Sequence, residues 1–219
     1  MRRQPRSLAG LLRRQGHPSV TIAAVALDSE RREVFVSVDI EASGPSPSTG
    51  SMISLGACLV DDPEVGLYVT LKPVPDLPWN DDAARIHGLD RHSLERDGLE
   101  PVDAMERLAT WLTETCGPDA QPVFVGFNAP FDWMFVADYF WRYMGRNPFG
   151  ISALDIKSLF MASAGVTRWA ETARTNVDRR LSLDQDHNHH ALDDARGQAR
   201  VARVLLGADA EKSRLGVEN

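Results

Sequence analysis

Two carboxylates stand one residue apart at the end of an apolar run in VFVSVDIEASG, residues 34–44. The run has the residue types of a buried β-strand, and Asp39 and Glu41 flank one isoleucine. Because residues i and i+2 of a strand point to the same face, the two carboxylates project together. Such a pair repels unless a cation lies between them, and hard divalent cations prefer oxygen ligands. A solvated strand end is the alternative, since D-x-E alone is common.

A further acid, Asp132, opens an apolar helix in the stretch NAPFDWMF, shortly after Asn128 and Phe131. The bland interpretation is a first-turn acid that is favoured by the helix dipole. In HNHHALDDARGQA, His189 lies five residues before Asp194, at the start of the last amphipathic helix. A solvated loop histidine is the alternative there. A structural zinc site is disfavoured, because crowded histidines give poor ligand geometry and the cysteines lie far away.

Taken in order, these segments resemble the three motifs of the DEDDh 3′–5′ exonucleases, which include polymerase proofreading subunits, RNase T and oligoribonuclease. The resemblance spans about residues 34–205 and rests on DIE at 39–41, NAPFD at 128–132 and HHALDD at 189–194. Two lesser segments agree with it, ARIHGLD at 84–90 and ALDIKSL at 153–159. One departure is ASG after the D-x-E, where family members often have a threonine pair and a glycine.

The resemblance implies an α/β protein with a ribonuclease H-like fold, in which a mixed five-stranded sheet carries helices on both faces. Asp39 would bridge two divalent cations, Mg²⁺ or Mn²⁺, and Glu41 would bind one of them. Asp132 and Asp194 would complete the ligand set, and His189 would be the general base that takes a proton from the attacking water. The products would be 5′-mononucleotides released from the 3′ end of a single strand.

Substrate contacts are expected beside the three motifs and in two other stretches. Trp79, in PDLPWND, is a candidate for stacking on a base. A basic loop at 165–189 is expected to hold backbone phosphates, although its arginines could instead pair with nearby aspartates. The predicted substrate-binding residues are Ala42, Ser43, Asn128, Phe131, Trp79, Arg179 and Arg180.

The order of elements predicts a single mixed α/β domain over residues 33–207, with an antiparallel three-stranded meander followed by alternating helices and strands. Residues 1–32 form an arginine-rich arm that is expected to be flexible. A nucleic-acid-binding arm or an organellar transit peptide is the functional alternative for it. Residues 208–219 form a polar tail.

The composition narrows the class of protein and the cellular compartment in which it is expected. No apolar run is long enough to cross a bilayer, so no membrane partner is expected. The chain has two cysteines and no metal-binding cysteine spacing, which favours the reducing cytoplasm. The formal net charge of −7 argues mildly against a protein that coats long nucleic acid.

These features favour a metal-dependent 3′–5′ exonuclease that acts on single-stranded nucleic acid, with RNA or short oligonucleotides preferred. The alternatives are a DNA exonuclease of proofreading or repair and a catalytically silent nucleic-acid-binding module of the same fold. A homodimer is expected by analogy with family members alone.

Overall fold

The computed structural model describes residues 31–183 and 189–207. The predicted N-terminal arm, up to residue 30, and the predicted tail at 208–219 lie outside the described residues. In the described part the strands form one five-stranded mixed sheet with the order β3-β2-β1-β4-β5. The strands are β1 Glu33–Ala42, β2 Met52–Leu59, β3 Gly66–Thr70, β4 Gln121–Gly126 and β5 Ala153–Asp155. The predicted antiparallel meander is β3-β2-β1, and β4 and β5 join it in parallel.

Seven α-helices lie within the described ranges. They are α1 Asp81–His87, α2 Arg91–Asp97, α3 Pro101–Cys116, α4 Pro130–Tyr139, α5 Ile156–Ala164, α6 Arg174–Leu181 and α7 Ala191–Leu206. A π-helical turn, Phe140–Met144, continues α4 and ends at Gly145, where φ is 65°. The segment expected to be a loop at 165–189 instead contains a 3₁₀ turn, Trp169–Thr172, and α6. The loop prediction was wrong because α6 has only a weak apolar face, so its helical spacing is hard to recognise in the sequence.

Alternate side chains of β1 supply two separate hydrophobic cores. Val36, Val38 and Ile40 pack with residues of α3 and α4. Phe35, on the other face, packs with residues of α5, α6 and α7. The sheet therefore carries helices on both faces, as expected, and Asp39 and Glu41 belong to the face that α7 covers.

Helix α7 lies directly against the sheet at a glycine. Gly56 pairs with Asp39 across the β1-β2 ladder, and a Cβ at Gly56 would lie 2.2 Å from the Leu192 nitrogen. On the neighbouring strand, the Ser37 hydroxyl donates a buried hydrogen bond of 2.8 Å to the Ala195 carbonyl of α7. These contacts set the start of α7, and with it Asp194, against the end of β1.

No helix in the described residues is long and apolar enough to span a bilayer. Cys58 and Cys116 are buried free thiols.

We expect Gly56→Ala to destabilise the protein strongly. The added methyl would overlap the main chain of α7, which cannot move without leaving the sheet, and overpacking of a core typically costs about 1–3 kcal/mol or more. Urea unfolding of both proteins measures the change in the free energy of unfolding.

Gly66→Ala is the matched control. The added Cβ would first meet the end of the flexible Leu192 side chain, at 2.9 Å. The free energy of unfolding should therefore fall less than in Gly56→Ala. Equal losses for the two variants would contradict the close contact between α7 and β2.

Candidate active site

The end of β1 presents two half-buried carboxylates on the face covered by α7. Asp39 lies opposite Gly56 and Glu41 lies opposite Ser54. The register then shifts by a bulge between Glu41 and Ala42, which ends the regular pairing. Bulges of this kind often lie beside active sites because they redirect the chain and the side chains next to it.

Asp132 reaches the same strand from the first turn of α4. It is 4% exposed, and its Oδ1 accepts a hydrogen bond of 3.1 Å from the Ile40 main-chain nitrogen, between Asp39 and Glu41. The turn before α4 is fixed by Asp155, whose Oδ1 accepts from the Ala129 nitrogen at 3.1 Å. Asp132 is distant from β1 along the chain, and the fold brings the two into contact.

Asp194 and His189 complete the cluster from the start of α7. Glu41, His189 and Asp194 each offer a ligand atom, and these atoms lie within 4.8 Å of one another. His189 is exposed and has a left-handed backbone, with φ 55°. Asp193, expected to be a solvated helix acid, is exposed and lies near His190 and Arg196. The structure thus brings together the residues predicted as metal ligands and base, and their roles stay predictions.

The electrostatics of the cluster are unfavourable for several ionised carboxylates. Burial, followed by the charges of Asp132, Asp194 and Glu41, raises the pKa of Asp39 well above its usual value. Burial, followed by the charges of Asp194 and Asp132, raises the pKa of Glu41 to about 8. Burial raises the pKa of Asp132 to about 7, although the hydrogen bond from Ile40 opposes the shift.

This donor set fits hard divalent cations. Carboxylate oxygens are the ligands that Mg²⁺ and Mn²⁺ prefer. A bound cation would offset both the burial and the mutual repulsion that raise the pKa of Asp39 and Glu41. Zinc fits less well, because the two cysteines are buried within the hydrophobic cores.

Two further residues belong to this site: Gln198, which the sequence analysis missed, and Arg174, which it assigned only to the basic loop expected to hold phosphates. Gln198 of α7 is 2% exposed, and its amide nitrogen donates to Asp39 Oδ1. Arg174 of α6 lowers the pKa of Asp39 and lies 5.1 Å from the centre of the Phe127 ring. Gln198 was detectable as a polar residue on the apolar face of α7, four residues after Asp194. The position of Arg174 depends on the fold of α6 and had no such signal.

The predicted substrate residues after the D-x-E are buried. Ala42 is 8% exposed and Ser43 is 1% exposed. Ser43 is bonded to Ser51 through its nitrogen, at 2.8 Å, and through its hydroxyl, at 2.9 Å. Its carbonyl accepts from the Asn80 nitrogen at 3.0 Å. Since each polar group of Ser43 has a partner, its visible role is to tie the end of β1 to the segment that carries Trp79.

Asn128 and Phe131 flank the turn between β4 and α4. Asn128 is exposed and has a left-handed backbone with φ 65°, which asparagine tolerates better than most residues. Phe131 is half-buried, and its ring centre lies 5.5 Å from that of Phe135. Both residues remain accessible to a ligand beside Asp132.

Trp79 is half-buried and packs against two neighbouring side chains. The edge of His87 meets its ring at 5.9 Å between ring centres, and the Arg91 guanidinium lies 5.7 Å from the ring centre. Burial, followed by the charge of His189, lowers the pKa of His87. Trp79 therefore packs against His87 and Arg91 and keeps part of its surface accessible.

The arginines of α6 divide into two kinds. Arg174 pairs with Asp178, its Nε lying 3.1 Å from Oδ1. The expected alternative of pairing with aspartates therefore holds for Arg174. Arg179 and Arg180 end α6 as exposed residues and line a shallow surface depression. They remain available to a polyanion.

Comparison with known proteins gives relatives over most of the chain. The model of the exonuclease family named for RNase T matches residues 36–202. The 3′–5′ DNA exonuclease Cap18 of Escherichia coli is 41% identical over 184 residues, 84% of this chain and 97% of that protein. A PolC-type DNA polymerase III of Thermotoga petrophila is 26% identical over 173 residues, 76% of this chain and 11% of the polymerase.

Solved structures with the same fold include exonucleases. The nuclease domain of 3′hExo, a DEDDh family member bound to rAMP, has a TM-score of 0.67 at 14% identity, over 82% of this chain and 94% of that one. E. coli exonuclease I in complex with a dT13 oligonucleotide has a TM-score of 0.62 at 17% identity, over 84% of this chain and 42% of that one. The expected ribonuclease H-like fold is confirmed by these likenesses.

The metal-free protein should lose stability as the pH rises from about 4.5 to about 8, the ordinary and the raised pKa of Glu41. A carboxyl group with a raised pKa binds more protons in the folded state, so the free energy of unfolding falls over this range. We expect the Tm in EDTA to fall by roughly 5 °C or more between about pH 5.5 and pH 8, since about 1 kcal/mol moves Tm by 2–4 °C. Mg²⁺ should restore more stability at the higher pH.

Two variants act as controls for this effect, measured by thermal melts. Asp194→Asn removes a charge that raises the pKa of Asp39 and Glu41, so the fall should shrink. Asp193→Asn changes the adjacent exposed acid, so the fall should persist. A Tm that is flat across this range in EDTA would contradict the electrostatic description of the cluster.

Proposed function

Because the chain belongs to the DEDDh superfamily of 3′–5′ exonucleases and is an enzyme of that class, we propose that it releases 5′-mononucleotides from the 3′ end of single-stranded DNA, using two divalent cations and a histidine base. The observation that carries the proposal is the convergence of Asp39, Glu41, Asp132 and Asp194 from three separate stretches of chain, with His189 beside them.

The four carboxylates would hold the cations. Asp39 lies among the other three and is suited to bridge, whereas Glu41 and Asp194 lie on the side of His189. When bound, two such ions would lower the pKa of an attacking water and stabilise charge on the leaving oxygen. Mg²⁺ and Mn²⁺ suit this all-oxygen set.

His189 would act as the general base. Its imidazole is exposed and within 4.8 Å of carboxylate oxygens of Glu41 and Asp194, so a water held there lies within its reach. A neutral imidazole has one ring nitrogen free to accept the proton of the attacking water. The 3′ oxygen of the penultimate nucleotide would leave, which frees a 5′-mononucleotide.

We propose DNA rather than RNA as the substrate because of the similarity to one relative. The E. coli protein that is 41% identical over nearly its whole length is a DNA 3′–5′ exonuclease. RNA or short oligonucleotides, which the sequence favours through the net charge of −7, form the second candidate. The two differ by the 2′-hydroxyl, which lets a protein discriminate RNA from DNA.

The rest of the strand would be held by residues around the cluster. Trp79 would stack on a base near His189, and Asn128 and Phe131 would contact the terminal nucleotide near Asp132. Ala42 and Ser43 would shape this pocket through the loop that they brace. Arg179 and Arg180 would bind upstream phosphates, because both are exposed and both carry positive charge.

We also propose an oligomeric state and a cellular location for the protein. A homodimer rests on analogy with family members. A cytoplasmic location rests on the two cysteines, which are free thiols in this chain.

A nuclease assay on single strands tests the proposed function. The purified protein with Mg²⁺ or Mn²⁺ should shorten 5′-labelled DNA one nucleotide at a time and release 5′-mononucleotides. EDTA or Asp194→Asn should abolish this, and RNA of the same sequence should be cut more slowly. A 3′-phosphate should block the reaction. Cleavage of a circular single strand, which has no 3′ end, would show that the exonuclease proposal is wrong.

We expect His189→Ala to lower kcat by roughly 10²–10⁴ at neutral pH, the usual contribution of a general base. Mn²⁺ binding, measured by calorimetry, should persist because the carboxylates remain. His190→Ala is the matched control, since the neighbouring imidazole stacks on Tyr68 at 4.3 Å between ring centres, and this variant should retain most of the rate. Near-normal turnover by His189→Ala would remove this residue from the mechanism.

A further inference from the structure

We propose that Gln198 is a positioning residue for Asp39, holding this carboxylate in the orientation that binds metal and joining it to the main chain that leads to Asp132. The inference rests on the proposed function, since Asp39 is taken as a metal ligand. Gln198 lies outside the three motifs, and its role follows from contacts that only the fold creates.

The Gln198 amide connects two parts of the site that come from different elements. Its Oε1 accepts a hydrogen bond of 2.9 Å from the Phe127 nitrogen, in the turn after β4. Its Nε2 donates to Asp39 Oδ1 of β1. Gln198 itself belongs to α7, the helix that carries Asp194. One side chain thus fixes β1, the β4–α4 turn and α7 relative to one another at the acid cluster.

The direction of these bonds is set by chemistry. The Phe127 main-chain nitrogen can only donate, so the oxygen of the Gln198 amide must face it. The NH₂ group must then face Asp39, where it can only donate. Asp39 therefore receives a hydrogen bond that favours its charged form. The three neighbouring carboxylates disfavour that form, and the charge of Arg174 favours it.

The surroundings of Gln198 make a purely packing role unattractive. It is 2% exposed, and the neighbouring buried positions of α7 are Ala195, Ala199, Val201 and Ala202. A buried amide is costly unless both of its ends are bonded, and an apolar residue would fill the same space without that cost. The remaining explanation besides positioning is that Gln198 merely satisfies the Phe127 nitrogen, which lies beyond the end of β4. The two explanations differ in what happens at Asp39.

Without Gln198, the Asp39 carboxylate is free to rotate away from the neighbouring acids, which repel it. Metal affinity should then fall even where the protein stays folded, because part of the binding energy would be needed to restore the ligand orientation. Substitutions behind a metal ligand typically weaken metal affinity or activity by about 10–100-fold.

Calorimetric titration of Mn²⁺ into the full-length protein, without substrate and well below the Tm, tests the assignment. We expect Gln198→Leu to weaken Mn²⁺ binding by roughly 10–100-fold. Gln198→Asn is the second variant, for use if Gln198→Leu fails to fold. It keeps an amide that is one methylene too short to reach both partners, so its Mn²⁺ affinity should also fall. Thermal melts in EDTA report the stability of each variant separately.

Ser37→Ala is the matched control. It removes another buried hydrogen bond between β1 and α7, to the Ala195 carbonyl, without touching the Asp39 carboxylate. It should lower the Tm and keep the Mn²⁺ affinity of the wild type.

The outcomes separate the two proposals. Unchanged Mn²⁺ affinity in folded Gln198→Leu or Gln198→Asn would overturn the role of Gln198 while the nuclease proposal stands. An equal affinity loss in Ser37→Ala would also overturn it, because a general effect of loosening α7 would then be sufficient. A wild-type protein that neither binds Mn²⁺ nor degrades DNA would overturn the proposed function, and this role with it.

Discussion

The burial of several carboxylates beside one another is the constraint on which the rest of this structure depends. Burial and neighbouring acids both raise the pKa of Asp39 and Glu41, so the folded protein without metal holds its acids in an unfavourable arrangement. In the proposed function this arrangement would attract hard cations, which would bring the charge that phosphodiester hydrolysis needs.

Several contacts hold this arrangement in place. The Ile40 nitrogen donates to Asp132 and the Gln198 amide donates to Asp39, so two of the acids receive hydrogen bonds that favour the charged form. Arg174 adds a positive charge that lowers the pKa of Asp39. The absence of a side chain at Gly56 lets α7 approach the sheet closely, which sets Asp194 beside β1. The scaffold thus supplies orientation, and in the proposed function a bound cation would supply most of the neutralising charge.

The sequence predicted the parts of the site that sit in short, ordered motifs. The alternation along β1 shows that Asp39 and Glu41 share a face, and the resemblance to an exonuclease family adds Asp132, Asp194 and His189. Gln198 was not predicted, because its importance lies in two hydrogen bonds to residues distant in sequence. The contact at Gly56 likewise depends on how closely two elements pack, which periodicity does not report. Helix α6 was taken for a loop because its composition is mostly polar.

The most direct test is a crystal structure of the protein with Mn²⁺ and a nucleoside 5′-monophosphate, using anomalous scattering to locate the metal. The account predicts manganese bound by the carboxylates of Asp39, Glu41, Asp132 and Asp194, with the phosphate on the metal and the His189 ring facing it. Manganese held elsewhere on the protein, with these carboxylates protonated or turned apart, would contradict the central claim that the acid cluster is the catalytic metal site.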